Sequence, residues 1–280
     1  MEQRKTILIT GASKGFGFEM ARIALENNDR VIATVRSEPD QLSELLGRHE
    51  NLLVLVMDVT DEASVKAAVQ KGAEYFGRID TLINNAGYGL LGAVEEASDE
   101  EVRKQYDTNV FGLLNVIRAV LPVMRKQKAG HIINISSLFG FEAPLGWTIY
   151  SSTKFAVEGI SSGLAKELEP LGIHVTALAP GLFSTDFLGK SSFAKTSTVI
   201  PDYNNNVGVT RQQAAGNNGK QPGDPKKLAA LAIEIAHTEQ PPLHLLVGRD
   251  AVDWYKNNAA RVAAEVETWI GKSVSTGHSN

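Results

Sequence analysis

The strongest constraint on this chain is an alternation that runs from its first residues to about position 180. Short, mainly apolar runs alternate with longer stretches of helical periodicity. The runs are Thr6–Thr10, Val31–Val35, Leu52–Met57, Thr81–Asn84, His131–Ile135 and His174–Leu178, with a further one at Leu243–Val247. Most carry consecutive apolar residues rather than one at every second position, the pattern of parallel strands buried on both faces. The intervening segments carry helix starts: Thr60-Asp61-Glu62 opens one, and Ser98 with Glu101 three residues on forms a capping box. Strand–helix–strand repetition at intervals of about 25 residues predicts a parallel α/β sheet with right-handed crossovers. All 280 residues are read as one domain, with 43% hydrophobic and 21% charged residues, well away from disordered composition.

Two regions leave this rhythm. From 187 to 225 the chain is polar and rich in Asn, Gln, Gly, Lys, Ser and Thr, and is read either as a substrate lid or as a disordered insertion. Over 251–270, Val252, Tyr255, Ala259, Val262, Val266 and Trp269 recur at helical spacing. That stripe is expected to dock on the domain as an extra C-terminal helix, a subunit contact being the alternative.

Chemistry first enters where the first strand runs into Thr10-Gly11-Ala12-Ser13-Lys14-Gly15-Phe16-Gly17. Glycines between a strand and a helix let the backbone approach a pyrophosphate, which the helix N-terminus then meets with N–H donors and partial positive charge. The spacing is Gly-x3-Gly-x-Gly, and alone it is a weak signal, a tight turn with no ligand being the alternative. Further features follow in order: Asp58 at the end of the third strand, Asn84-Asn85-Ala86-Gly87 at the end of the fourth, Asn109 in the next helix, Ser137, then Tyr150-x3-Lys154, and Pro180-Gly181 with Thr185. Over residues 4 to about 186 this series resembles the short-chain dehydrogenase/reductase family. It lies closest to the branch that includes 17β-hydroxysteroid- and retinol-dehydrogenase-like proteins. The resemblance implies a doubly wound Rossmann fold, a seven-stranded parallel sheet with helices on both faces.

A tyrosine and a lysine four apart share one helix face. A nearby ammonium favours the phenolate, so Lys154 is expected to lower the Tyr150 pKa from its ordinary value near 10. By resemblance, Tyr150 is the proton donor to a substrate carbonyl, Ser137 hydrogen-bonds the same oxygen, Lys154 also holds the nicotinamide ribose, and Asn109 positions a water that links Lys154 to solvent. The thirteen-residue spacing to tyrosine selects Ser137 over Ser136. With no cysteine and no histidines paired at ligand spacing, the chain offers no redox group or metal site of its own, and the hydride is assigned to a nicotinamide.

The second strand ends Val35-Arg36, with Val35 where an NAD-preferring relative carries an acid. Arg36 and Lys14 match the basic pair of NADP-preferring members, so NADP(H) is the expected cofactor; Glu38 is the one nearby acid that opposes it. The resemblance also places Gly11, Ser13, Gly15, Phe16 and Gly17 at the pyrophosphate. It puts Asp58 and the Val59 backbone at the adenine, the alternative for Asp58 being no more than the N-terminal neighbour of a helix cap. Asn85, Ala86 and Gly87 fall beneath the adenosine ribose, and Pro180, Gly181, Phe183 and Thr185 over the nicotinamide. Substrate contacts are expected from Ser137, Phe139, Trp147, Tyr150 and Phe183, with Tyr88, Leu138, Phe141 and Phe187 nearby. An apolar pocket of this kind suits a ketone or secondary alcohol on a bulky body. A cofactor sensor without turnover and a sugar-nucleotide epimerase or dehydratase are the alternatives. With 28 basic against 32 acidic residues, net charge −4, neither nucleic acid nor membrane is an expected partner. The chain is expected to be cytoplasmic and a homodimer or homotetramer.

Overall fold

The computed structural model describes residues 4–185, 193–216 and 219–278. Its centre is one sheet of seven parallel strands: β1 (Thr6–Ile9), β2 (Arg30–Val35), β3 (Leu52–Val56), β4 (Thr81–Asn84), β6 (Gly130–Ile135), β7 (Ile173–Pro180) and β9 (His244–Val247). Their spatial order is β3-β2-β1-β4-β6-β7-β9. The order reverses between β1 and β4, and ligands of open parallel sheets bind in the crevice at the carboxyl ends of such a pair. β1, β2 and β6 are buried along nearly their whole lengths, which is why they carry no polar alternation.

Helices cover both faces. On one, α1 (Gly15–Glu26) and α8 (Pro225–His237) bury Met20, Ala21, Leu228 and Ile233 against Ile7, Ile9, Val31 and Ile133. On the other, α3 (Glu62–Phe76), α5 (Leu113–Gln127) and α6 (Thr148–Leu168) bury Val65, Val69, Val116, Ile117 and Val157 against Leu8, Ile32, Leu82 and Ile132. Ser98 caps α4 (Asp99–Tyr106): its Oγ accepts from Glu101 N at 3.2 Å, and Glu101 Oε2 accepts from Ser98 N at 2.8 Å. Asp61 caps α3 by accepting from Ala63 N at 2.9 Å. A short α2 (Pro39–Leu45) follows β2.

The polar region after β7 is not structureless where it is described. β8 (Phe193–Lys195) pairs in parallel with β5 (Gly89–Leu91), Pro201–Tyr203 forms a 3-10 turn, and α7 (Val207–Gly216) follows. The sequence missed these elements because their partners lie about a hundred residues away, on the segment after β4.

The C-terminal helix corrects an expectation. α9 spans Arg249–Val274, but only its first turns dock. Ala251 is buried, Tyr255 packs on Phe141 with centroids 5.0 Å apart, and Asn258 Nδ2 donates to Phe141 O at 2.7 Å. Beyond these, Val262, Val266 and Trp269 are 44%, 54% and 58% exposed. Helical periodicity specifies an apolar face without specifying what covers it, and here the helix outruns the domain. Among the described residues no helix is long and apolar enough to cross a membrane.

Candidate active site at the carboxyl ends of β1, β4 and β6

The glycine turn between β1 and α1 is shaped by contacts that exclude larger residues. Gly11 and Gly15 hold φ of +66° and +56°, and a Cβ on Gly17 would stand 2.5 Å from Gly11 O and 2.6 Å from Asn85 Nδ2. Asn85 Nδ2 donates to Thr10 O and Gly11 O at 2.9 and 3.0 Å, while Thr10 Oγ1 accepts from Asn85 N and Ala86 N. Asn85 and Ala86 therefore brace the turn from β4, and a Cβ on Gly11 would lie 3.0 Å from Ala86 Cα. The first turn of α1 has no side-chain cap and no acidic residue. Its N–H donors and positive dipole end fit a dinucleotide pyrophosphate. Lys14 is the extended residue that opens α1, Ser13 is exposed, and Phe16 meets Phe183 edge to face at 5.5 Å.

At the carboxyl end of β2, Val35 is buried and Arg36 is exposed immediately beyond the strand. Glu38 takes a left-handed backbone, φ +56°, ahead of α2. Asp58 lies exposed beyond β3, its Oδ1 accepting from Thr60 N and Oγ1 at 2.9 and 2.8 Å. Val59 is buried beside Gly112, and its carbonyl accepts from Asn115 Nδ2 at 3.0 Å.

Pro180 ends β7 and Gly181 follows it. Gly181 has no room for a side chain because Asp250 of α9 occupies that place, and Asp250 Oδ2 accepts from Leu182 N at 2.6 Å. Asp250 is a bracing residue that sequence reasoning missed, since 68 positions separate the partners. Phe183 is buried in the layer with α1 and α8 and bridges to Gly223. It stands apart from the aromatic group around Tyr150 described below. Thr185 Cβ lies 3.9 Å from where a Gly15 Cβ would be. Phe187 falls outside the described residues.

Ser137 follows β6 in an extended conformation, and its Oγ accepts from Phe139 N at 3.1 Å. Ser137 also hydrogen-bonds Tyr150. Ser136 is turned inward and buried, its Oγ without a partner among the described residues. Tyr150 and Lys154, on the first turns of α6, are 6% and 7% exposed. Lys154 Nζ donates to Ile135 O at 2.7 Å and lies 5.7 Å from the centre of the Tyr150 ring. The aromatic surroundings of Tyr150 are Trp147 at 5.7 Å and Phe139 at 6.1 Å, and Phe193 lies 5.6 Å from Trp147.

These surroundings reverse the expected direction of the tyrosine's pKa. Burial pushes the Tyr150 hydroxyl well above its ordinary value, and the Ser137 hydrogen bond offsets only part of that rise. The lysine is itself desolvated. Burial lowers it to about 8, against the opposing pull of Glu158 one turn along α6. With both groups buried and Nζ directed at a backbone carbonyl, desolvation outweighs charge attraction.

Asn109 sits in a one-turn π segment, Asp107–Gly112, between α4 and α5. Its Oδ1 accepts from Tyr88 N at 3.1 Å, and its Nδ2 donates to Tyr88 O at 2.9 Å and Thr153 Oγ1 at 3.2 Å. The widened turn directs this amide against the segment after β4 and against α6, and such bulges recur at functional sites. A Cβ on Gly87 would sit 3.2 Å from Asn109 Oδ1. The structure thus brings Gly87, Asn109, Ser137, Tyr150 and Lys154 to one end of the sheet beside the glycine turn.

Comparison with known proteins agrees with this geometry. The family model described as short chain dehydrogenase matches residues 5–195. Oxidoreductase BOA17 of Botryotinia fuckeliana is 40% identical, covering 95% of this chain and 96% of its own. A 3-ketodihydrosphingosine reductase of Bacteroides thetaiotaomicron is 39% identical, covering 88% of each. A crystal structure of a short-chain dehydrogenase from Streptomyces avermitilis superposes with TM-score 0.90 at 38% identity, covering 99% of this chain and 100% of its own. Two more distant structures carry cofactors. ElxO has NADP bound (28% identity, TM-score 0.71, coverage 87% and 96%). A 3-ketoacyl-(acyl-carrier-protein) reductase from Brucella melitensis is complexed with NADH (26% identity, TM-score 0.73, coverage 88% and 98%). With the glycine turn, the sheet order and these relatives in agreement, the chain belongs to the short-chain dehydrogenase/reductase family of oxidoreductases.

Proposed function

We propose that the protein is an NADPH-dependent reductase that converts a ketone or aldehyde on an apolar body to the alcohol, with Tyr150 as the general acid. The observation that carries this reading is the convergence of Ser137, Tyr150 and Lys154 at the end of β6, beside a glycine turn shaped for a pyrophosphate. The nicotinamide supplies the hydride when bound. Ser137 Oγ, hydrogen-bonded to Tyr150, is assigned to orient and stabilise the substrate oxygen as its negative charge develops. Tyr150 then transfers its phenolic proton to that oxygen. A tyrosine held protonated by burial is in the form that carbonyl reduction requires, and the ammonium of Lys154 stabilises the phenolate left behind. Asn109, engaged with Tyr88 and Thr153, holds the segment after β4 against α6. The site therefore keeps its shape as charge moves.

Arg36 and Lys14 support the choice of NADP(H) over NAD(H). A 2′-phosphate carries roughly −1.5 to −2 charges near neutrality, and one charge-assisted hydrogen bond to it contributes about 1.5–3 kcal/mol. The apolar neighbours Phe139, Trp147 and Phe193 support an apolar substrate body, and the 3-ketodihydrosphingosine reductase among the relatives supports a keto substrate.

The test is NADPH oxidation against cyclohexanone, acetophenone, benzaldehyde and 9,10-phenanthrenequinone, with NADH in parallel. Turnover on any of these with NADPH supports the reading. Tight NADPH binding without turnover across a wider carbonyl panel would favour the cofactor sensor instead. Arg36→Asp is expected to raise the KM for NADPH about tenfold or more while improving NADH; equal responses to the two cofactors would remove the phosphate assignment. A homodimer in the cytoplasm is part of the same proposal. Phe111, beside α5, and Phe155, on α6, are 54% and 46% exposed and offer apolar contact. Light scattering at micromolar concentration should give twice the chain mass.

A further inference from the structure

Glu96 takes no part in the proton transfer proposed above, yet its side chain is 0% exposed. Its Oε1 accepts from Ile200 N at 2.9 Å. Its Oε2 accepts from Ala93 N at 2.8 Å and forms an ion pair with the guanidinium of Arg211, from α7. Burial works to raise this carboxyl's pKa, but the Ile200 and Ala93 N–H groups and Arg211 outweigh it and leave the pKa lowered. Glu96 is therefore ionised at neutral pH.

The pair stands at the middle of a seam. Arg211 Nη2 reaches Thr196 Oγ1 at 3.3 Å, and Thr196 N donates to Leu91 O at 3.0 Å. A Cβ on Gly92 would collide with the Thr196 side chain. Glu101 Oε1 accepts from Ser197 N at 2.8 Å, and Tyr203 Oη donates to Glu95 Oε2 at 2.8 Å. The two elements β8 and α7 also meet the aromatic group at Tyr150: Phe193 of β8 lies against Trp147, and Ala214 of α7 is buried with Leu91, Trp147 and Tyr150. The segment that bounds Tyr150 is thus tied to the body of the protein through a buried charge pair, and losing one partner leaves the other buried and uncompensated.

We propose that Glu96 and Arg211 are positioning residues for the substrate site: through them β8 and α7 stand as a fixed wall beside Tyr150, and this wall sets how bulky a carbonyl compound is admitted. The size-selection clause rests on the reductase reading; the fixed wall does not.

The test uses the full-length chain as Arg211→Met, Arg211→Lys and the charge-neutral double variant Glu96→Gln/Arg211→Met. The readouts are amide hydrogen exchange, NADPH affinity by fluorescence titration, and kinetics on cyclohexanone and 9,10-phenanthrenequinone. In Arg211→Met, exchange across 193–214 should rise about tenfold or more while the peptides of β1 and the glycine turn stay at wild-type rates. NADPH affinity should hold within about twofold, because Glu96 and Arg211 bond to Ala93, Ile200, Thr196 and each other, none of them a residue of the glycine turn. The ratio of kcat/KM for the two ketones should move about tenfold, carried by KM, and Arg211→Lys should restore most of it. If Arg211→Met fails to fold, the double variant, which leaves no buried charge unpaired, should fold and still show the loosened wall. Unchanged exchange over 193–214 in a folded variant overturns the wall, and an unchanged ketone ratio with faster exchange overturns the size selection. Failure of the wild type on every carbonyl removes the reductase reading and the size-selection clause with it, while exchange still decides the wall.

Discussion

Tyr150→Phe is expected to leave the fold and NADPH affinity close to wild type and to lower kcat for carbonyl reduction by about 10²–10⁴-fold, the usual worth of a positioned proton donor. The ring is 6% exposed and packs on Trp147 and Phe139, and phenylalanine keeps those contacts. What disappears is the hydroxyl with its hydrogen bond to Ser137. That is a loss of about 1 kcal/mol or less, since the buried hydroxyl also no longer needs a partner. Stopped-flow mixing with NADPH and the best carbonyl of the panel separates the two effects. Retained single-turnover rates would remove Tyr150 from the proton transfer. The pH profile gives an independent check. Burial lowers Lys154 to about 8, so its ammonium is present below that pH and lost above it. Reduction at saturating NADPH should therefore hold near neutrality and fall as pH rises through about 8. A profile flat to about pH 10 would mean that the charge of Lys154 is not needed.

The second large effect lies at the opposite end of the sheet. His131, near the start of β6, is 4% exposed and pairs through Nε2 with Thr176 Oγ1 at 2.9 Å. Burial, with the nearby His174 and Lys5, lowers its pKa from 6.5 to about 3. The unfolded chain therefore binds this proton near pH 6.5, and the folded chain binds it only near pH 3. Stability from this group is complete above about pH 6.5 and is lost as pH falls toward 3, at roughly 1.4 kcal/mol per pH unit. Urea unfolding of His131→Gln, whose amide can still donate to Thr176, isolates the contribution, because the acidic groups elsewhere are common to both proteins. Between pH 6.5 and 4.5 the wild type should lose about 2–3 kcal/mol more than the variant. Equal losses would show that His131 is not held neutral by the fold.

Much of this protein is written in short stretches of its sequence. A strand buried on both faces carries consecutive apolar residues, so Val31–Val35 and Thr81–Asn84 could be read directly, and the seven strands of the main sheet begin and end within two residues of those read from the sequence. A turn that approaches a pyrophosphate must lack side chains, so Gly11, Gly15 and Gly17 marked the cradle. Ser98 and Glu101 cap a helix through atoms three residues apart, and Tyr150 and Lys154 share a face because a helix repeats every 3.6 residues. Each of these depends on near neighbours alone.

The remaining features belong to the tertiary structure. The apolar stripe of α9 reads as a docking face, but its second half is left exposed by the described residues of the chain. Lysine beside tyrosine suggested a lowered tyrosine pKa, yet the result is set by how completely both groups leave water, and that depends on Trp147, Phe139 and the wall built by β8 and α7. Asp250 braces Leu182 across 68 positions, and Arg211 meets Glu96 across 115. Local pattern specifies backbone shape and which face is apolar. Burial, and every charge or proton affinity that depends on it, is decided by residues brought from far along the chain.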